Sequence, residues 1–363
     1  LGRPMFWEQS ARLVEGERIW TSFRERGKRV GMVFWQQSLG ETVDLILSPA
    51  PIHKHHGGMI QTCYSKPAGL YPNLCRKLGR PFKLQHYWGP LASWKVGEWI
   101  VEAVSEILSN PELAPELLFS YLPSLDYDLQ RNDPEKSAKL QKTFNRVKEQ
   151  LLRLIQSAAS NGYDVLIFGD YHIAPVRCAV TPNVLLRKAG LLTVRHIKKM
   201  AYPDFFASRA FAMADHEIAH VYIPDRNDIS AVKNLLESLP GIAAVLDGEA
   251  QAAVHLHHKN SGELVLVAEP GNWLAYPWWT EKGEAPDFAS HVDIHNKPGY
   301  DPCELFFGWP PGSVSQNTNR IHGSHGRVGP ERHVTWASTF KAPGNPANLI
   351  ELAAMVRHWL DEQ

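Results

Sequence analysis

Residues Asn161–His172 read NGYDVLIFGDYH, and this stretch decides the fold. Val165–Phe168 carries only apolar side chains and is too short for a buried helix, so it predicts a buried strand. Gly169-Asp170 ends it. Upstream, Pro134 opens a helical pattern over Glu135–Ser160, where Leu140, Phe144, Val147, Leu151, Leu154 and Ile155 recur at helical spacing. Asn161-Gly162 is a helix stop. Earlier still, Leu117–Leu122 (LLFSYL) is a second apolar run, closed by Pro123. Strand, loop, helix, strand is the parallel α/β unit, whose functional groups gather at the carboxyl ends of the strands. Asp126 and Asp170 hold such positions.

The pattern extends in both directions. Arg29–Trp35 (RVGMVFW) and Val43–Leu47 read as strands, Ser48–Pro72 as a loop rich in Pro, Gly and His, and Ala92–Leu108 as a helix. Downstream, His220–Ile223, Asp228–Leu239 and Ala243–Leu246 give another strand, helix and strand, with Asp225 and Asp228 as caps. Glu263–Glu269 (ELVLVAE) reads as one arm of a hairpin, Gly271 turning into NWLAYPWW. Residues 281–335 are loop-rich, and Ala347–Leu360 is an amphipathic closing helix. The expectation is an α/β fold, a mainly parallel sheet flanked by helices in one domain over 1–363, with a smaller hairpin-containing region inserted at 247–320.

Composition narrows the function. Thirty-eight Lys+Arg balance thirty-eight Asp+Glu in 363 residues. Coating of nucleic acid needs a basic excess to neutralise phosphates, so that class is excluded, whereas a small phosphate-bearing substrate is not. Four cysteines lie far apart without a CxxC pair, which reads as reduced thiols. No apolar run approaches the ~20 residues of a membrane span. The start, LGRPMFWEQS, has neither a signal-peptide pattern nor an initiator Met. A cytoplasmic protein, represented by a piece of its chain, is expected.

Seventeen histidines supply the candidate ligands. Asp170 and His172 form a D-x-H pair at a strand end. Asp215, His216 and His220 lie in ADHEIAHVYI, where the VYI run favours a strand over a helical metal pair. HVDIH holds His291, Asp293 and His295, and HGSHGR holds His322 and His325 among glycines. His53-Lys54-His55-His56 and the HLHH run at 255–258 read as solvated surface. Carboxylates and imidazoles collected from several strand ends suit borderline divalent cations, zinc above all.

The order of these segments resembles the alkaline phosphatase superfamily, and within it the type I phosphodiesterase/nucleotide pyrophosphatase family. SYLPSLDYDLQRNDP resembles that family's first metal loop, with Asp126 at the metal aspartate. LIFGDYHIAPV resembles the strand that ends in its Asp-His-Gly, with Asp170 at the aspartate. NVLLRKAGLLTVR, ASRAFAMADHEIAHVYI, KPGYDPCELF and GSHGR come next in the family's order, and His325 matches the histidine of His-Gly.

The resemblance implies an alkaline-phosphatase-like fold and a hydrolase of phosphoric esters that uses two divalent metal ions, with zinc expected. Asp126 and His325 would hold one ion; Asp170 with His172 or His216 would hold the other. Gln130, Asp215 and His295 stand behind them as a second tier. Two positions depart from the pattern: Gln130 stands where a histidine is usual, and Tyr171 where Asp-His-Gly has its histidine. The Thr or Ser nucleophile of the phosphoryl-enzyme mechanism matches no segment here, and FWEQSARLVEGERIW resembles the family segment just downstream of that nucleophile. A catalytically inactive member acting as a binding or scaffold protein is the alternative that these departures motivate.

Overall fold

The computed structural model describes residues 8–55, 58–136 and 138–363. His56 and the first two residues of the FWEQSARLVEGERIW segment lie outside them. The chain divides into two compact units. The first comprises residues 8–127, 141–170 and 334–363, and the second comprises 128–140 and 171–333.

The first unit is built on a four-stranded sheet of β1 (Val30–Val33), β2 (Leu45–Pro49), β3 (Cys63–Lys66) and β4 (Leu117–Ser120), in the order β3-β2-β1-β4. β1 pairs in parallel with both β2 and β4, and β3 closes one edge antiparallel. A parallel strand covered on both faces should be apolar throughout. Accordingly, every residue of β1 and β2 is buried. Val30, Met32 and Ile46 pack with Trp20, Phe23 and Leu360, the last on the helix Leu349–Asp361. Asn348 caps that helix, accepting from the Glu351 amide at 2.9 Å. The expected mainly parallel sheet with helices is present in this unit.

Helix α1 (Lys95–Leu108) and helix α2 (Ala138–Ser160) follow the expected apolar spacing. Gly97 lets α1 approach its neighbours. A Cβ at that position would overlap Gln150 Oε1 and Ser124 Oγ, two groups that hydrogen-bond each other at 3.1 Å. The Gln150 amide also donates to Trp94 O at 2.8 Å and Glu98 Oε1 at 3.1 Å, so it has no free direction to retreat. The helical gain from alanine, ~1 kcal/mol, is therefore outweighed by an overpacking cost of ~1–3 kcal/mol. Gly97→Ala should lower the urea midpoint, and an unchanged or raised midpoint would show that Gln150 can move aside.

The strand read from Val165–Phe168 is Leu166–Phe168, and its environment differs from the expectation. It pairs antiparallel with Trp336–Ser338 and is half-buried, Phe168 being 39% exposed. Its apolarity serves a ribbon with one neighbour instead of a buried parallel strand.

The second unit carries an antiparallel sheet of β5 (Phe211–Asp215), β6 (Ile218–Tyr222), β7 (Ile242–Leu246) and β8 (Leu264–Ala268), in the order β5-β6-β8-β7. β6 and β7 both run antiparallel to β8, and α3 (Ile229–Glu237) connects them. β5 and β6 alternate inward Ala212, Ala214, Ala219 and Val221 with half-buried residues, and these side chains join Val232, Leu236, Leu264 and Trp278 in one core. The hairpin expected between ELVLVAE and NWLAYPWW is not formed. Both edges of β8 are occupied by β6 and β7, so Asn272–Leu274 pairs instead in parallel with Cys178–Val180. The four cysteines carry free thiols. Among the described residues, no helix is long and apolar enough to cross a membrane.

Candidate active site

In the first unit, Asp126 follows β4 by way of a Pro123–Leu125 turn and opens the helix Asp126–Arg131. Its charge reaches Tyr87: burial pushes the Tyr87 hydroxyl up to about 12, and Asp126 adds to the shift. Asp170 comes two residues after the strand Leu166–Phe168, behind Gly169, whose N–H donates to Thr335 O at 3.0 Å. Both carboxylates sit past the carboxyl ends of strands, Asp126 after a strand of the parallel sheet and Asp170 after an antiparallel ribbon instead of the expected parallel strand.

The imidazoles belong to the second unit. β5 and β6 form a hairpin whose two-residue turn is His216-Glu217. His216 adopts φ +59°, uncommon for a residue with a side chain. The turn is tied down from outside: the Glu217 N–H donates to His325 O at 2.8 Å, and the Leu274 N–H donates to His216 O at 2.6 Å. These bonds stack the rings. His325 lies 3.7 Å, centroid to centroid, from His216 on one side and 3.7 Å from Tyr171 on the other. Tyr300 covers His216 at 3.9 Å and donates its hydroxyl to Gln130 Oε1 at 2.8 Å. Gln130 is fully buried there.

Electrostatics follow from this packing. Burial, with the Arg332 charge assisting, pushes the His325 imidazole down to about 3. Burial and neighbouring His325 hold His216 well below its ordinary value. Both rings are therefore neutral at pH 7, the form that offers a lone pair to a metal. Asp215 Oδ1 stands 4.0 Å from His216 Nε2. Desolvation pushes that carboxyl up to about 6, although two-fifths of the side chain still reaches solvent.

The structure thus gathers His216, His325, Gln130 and Asp215 in one unit, with two tyrosines. His172 is exposed at the edge of that unit, Nδ1 3.2 Å from His333 O. His295 lies in the turn capped by Asp293, its N–H 3.2 Å from Asp293 Oδ1. Sequence reasoning missed Glu217 and Arg332 as a pair. The buried Glu217 carboxylate accepts from Arg332 Nη2 at 2.7 Å and from the Arg327 N–H at 3.1 Å. A Glu inside a tight hairpin, beside a candidate ligand, was the available signal.

The sequence model of the type I phosphodiesterase/nucleotide pyrophosphatase family matches residues 2–301. The chain belongs to that family. With it comes phosphodiesterase/phosphatase-type hydrolase chemistry. No curated protein sequence matches this family member. Its fold is similar to that of phosphonoacetate hydrolase from Sinorhizobium meliloti 1021. The structure with phosphonoformate is 15% identical, with a TM-score of 0.54 over 98% of this chain and 78% of that one. The structure with phosphonoacetate is 14% identical, with a TM-score of 0.51 over 99% and 79%. Murine ectonucleotide pyrophosphatase/phosphodiesterase 5 is 14% identical over 87% of this chain and 65% of that one, with a TM-score of 0.45.

Type I phosphodiesterases are generally metal-dependent. Within the second unit the buried imidazoles of His216 and His325, with the Asp215 carboxylate beside His216, are donor types that suit a divalent cation. Among the described residues, no group of three or more His, Cys, Asp or Glu could hold a metal ion.

Proposed function

We propose that this protein hydrolyses small phosphoric esters with the help of two divalent metal ions, zinc being the cation its donor set suits, and that it does so in the cytoplasm. Asp126 and His325 would hold one ion, and Asp170 with His216 the other; His172 is the weaker candidate for that role. Asp215 and Gln130 are assigned supporting places, and His295, in the turn capped by Asp293, is assigned none. The single observation that carries this reading is the buried pair of imidazoles, His216 and His325, packed at 3.7 Å within a member of a phosphoric-ester hydrolase family.

Bound ions would supply Lewis-acid stabilisation of the attacking and leaving oxygens in an in-line displacement. The chain's own groups do the rest. Burial keeps both imidazoles deprotonated. Ser324 Oγ, 3.4 Å from His216 Nδ1, orients that ring, and the Tyr171 and Tyr300 rings fix the planes of His325 and His216. The hydroxyl nucleophile of the phosphoryl-enzyme route has no assigned residue among these 363.

Zinc content and zinc titration should be compared in the wild type and in His216→Ala, His325→Ala, His172→Ala and His295→Ala, alongside hydrolysis of bis-p-nitrophenyl phosphate. Loss of one ligating imidazole is expected to weaken zinc by at least ~10-fold in His325→Ala and His216→Ala. His295→Ala should be unchanged. Undiminished zinc in both of the first two variants would overturn the assignment.

A second reading, an inactive member that binds phosphate esters without turnover, is favoured by one observation. Gln130 is engaged with the Tyr300 hydroxyl and Tyr171 lies flat on His325, so both departures from the family pattern serve as packing groups. Absence of zinc from the wild type, with ester binding retained, would establish it.

A further inference from the structure

A groove of about 680 Å³ opens on the first unit, within the size range of small-molecule sites. None of its lining residues belongs to the metal set, so a ligand here is independent of the hydrolase reading. Its floor is apolar: Phe82, Val96 and Trp99 are buried, and Phe82 meets Trp99 edge-on at 5.4 Å. Trp99 Nε1 donates to Arg80 O at 3.3 Å, which holds the preceding loop against the start of α1. One wall is the polar face of α2, where Arg146 lies 5.1 Å from the Trp94 ring centre.

The rim is cationic. Arg80, Lys83, Lys95, Arg146 and Arg153 line the groove against the carboxylates of Glu98 and Glu149. The arginines are engaged: Arg80 with Glu102 at 2.6 Å, Arg153 with Glu98 at 2.6 Å, and Arg146 with Glu149 at 2.9 Å. Among the described residues no carboxylate pairs with Lys83 or Lys95, and both lie on the same mouth, next to His86. Behind desolvation, the charges of these two lysines are what keep the His86 imidazole below its ordinary value. Lys95 is also the first residue of α1, whose N-terminal dipole adds positive potential at the same place. Two such ammonium groups over an aromatic floor are complementary to one kind of molecule, a negatively charged group on an apolar body.

We propose that this groove binds a small organic anion, its charged group on Lys83 and Lys95 and its apolar body over Phe82, Val96 and Trp99. The test is titration calorimetry of the full chain with 2-naphthalenesulfonate, with 2-naphthalenemethanol as the neutral analogue and inorganic sulfate as the anion without a body. Saturable binding of the sulfonate is expected, weakened about tenfold by Lys83→Gln and by Lys95→Gln, since each removes one charge-assisted contact. Both lysines are exposed, so the variants should keep the wild-type melting temperature. Neutral analogue and sulfate should each bind far more weakly than the sulfonate. The proposal fails if the sulfonate does not saturate, if both lysine variants bind it like the wild type, or if either control matches it.

Discussion

Lys297→Met is expected to destabilise the second unit by ~3–5 kcal/mol, the usual result of leaving buried charges without their partner. Lys297 is 1% exposed, yet its ammonium contacts Glu304 Oε1 at 2.6 Å, Asp301 Oδ2 at 2.8 Å and His291 O at 3.0 Å. Desolvation alone would lower the ammonium pKa. The two carboxylates more than offset it, and the value is raised. With methionine in its place, Asp301 and Glu304 would face each other in a dry interior with no counter-charge. Adding Glu304→Gln to Lys297→Met should recover part of the loss, since one uncompensated carboxylate is gone. The sign with pH is also set. A raised lysine pKa contributes stability that is fully present below the unfolded value near 10.5 and is lost as pH climbs through the folded one. Urea midpoints measured from neutral to strongly alkaline pH should therefore fall in the wild type and stay flatter in the variant. A loss below ~1 kcal/mol on Lys297→Met would mean that solvent reaches the cluster and screens it.

Local physics explains which parts of this fold were legible. The helices Ala138–Ser160 and Leu349–Asp361 advertise themselves through apolar spacing and a clear stop or cap, interactions that span only a few residues. The strands Val30–Val33 and Leu45–Pro49 were visible because burial on both faces removes every polar residue but Ser48 from them. LVLVA at 264–268 has the same apolar character, but composition names no partner. Its pairing with β6 and β7 is a non-local contact, and nothing within reach of Gly271 encodes it. The Leu166–Phe168 strand shows the converse, since apolar residues there serve a half-buried ribbon.

The candidate site could be proposed from the sequence one residue at a time, whereas the packing of its side chains could not be read there. Asp126, Asp170 and His325 could be named because their segments occur in a recognisable order. That His216 packs on His325 depends on a hairpin turn with neither Gly nor Asn at the positive-φ position, a turn without its usual signature. Tyr300 lies 170 residues from Gln130 along the chain, so only the fold brings the two side chains together. Its phenol ring against His216 is likewise a tertiary fact.

The same hairpin carries the second large effect. Glu217→Gln keeps the shape of the side chain but removes the charge that faces Arg332, whose side chain is 7% exposed. Glu331, at 3.6 Å and 58% exposed, is too solvated to take over. The expected cost is ~3–5 kcal/mol, because an uncompensated guanidinium would remain buried. The effect should reach function as well as stability. Glu217 accepts from the Arg327 N–H at 3.1 Å and its own N–H donates to His325 O at 2.8 Å, so it ties the 325–332 segment to the turn that holds His216. Zinc affinity should therefore fall with stability in Glu217→Gln, although none of its atoms is a proposed ligand. The double variant Glu217→Gln/Arg332→Met separates the causes. If the buried charge is what costs, removing it should restore much of the melting temperature while zinc affinity stays low, since the tether to Arg327 is still weakened. Melting temperatures of the double variant no higher than those of Glu217→Gln would assign the loss to the backbone tether alone.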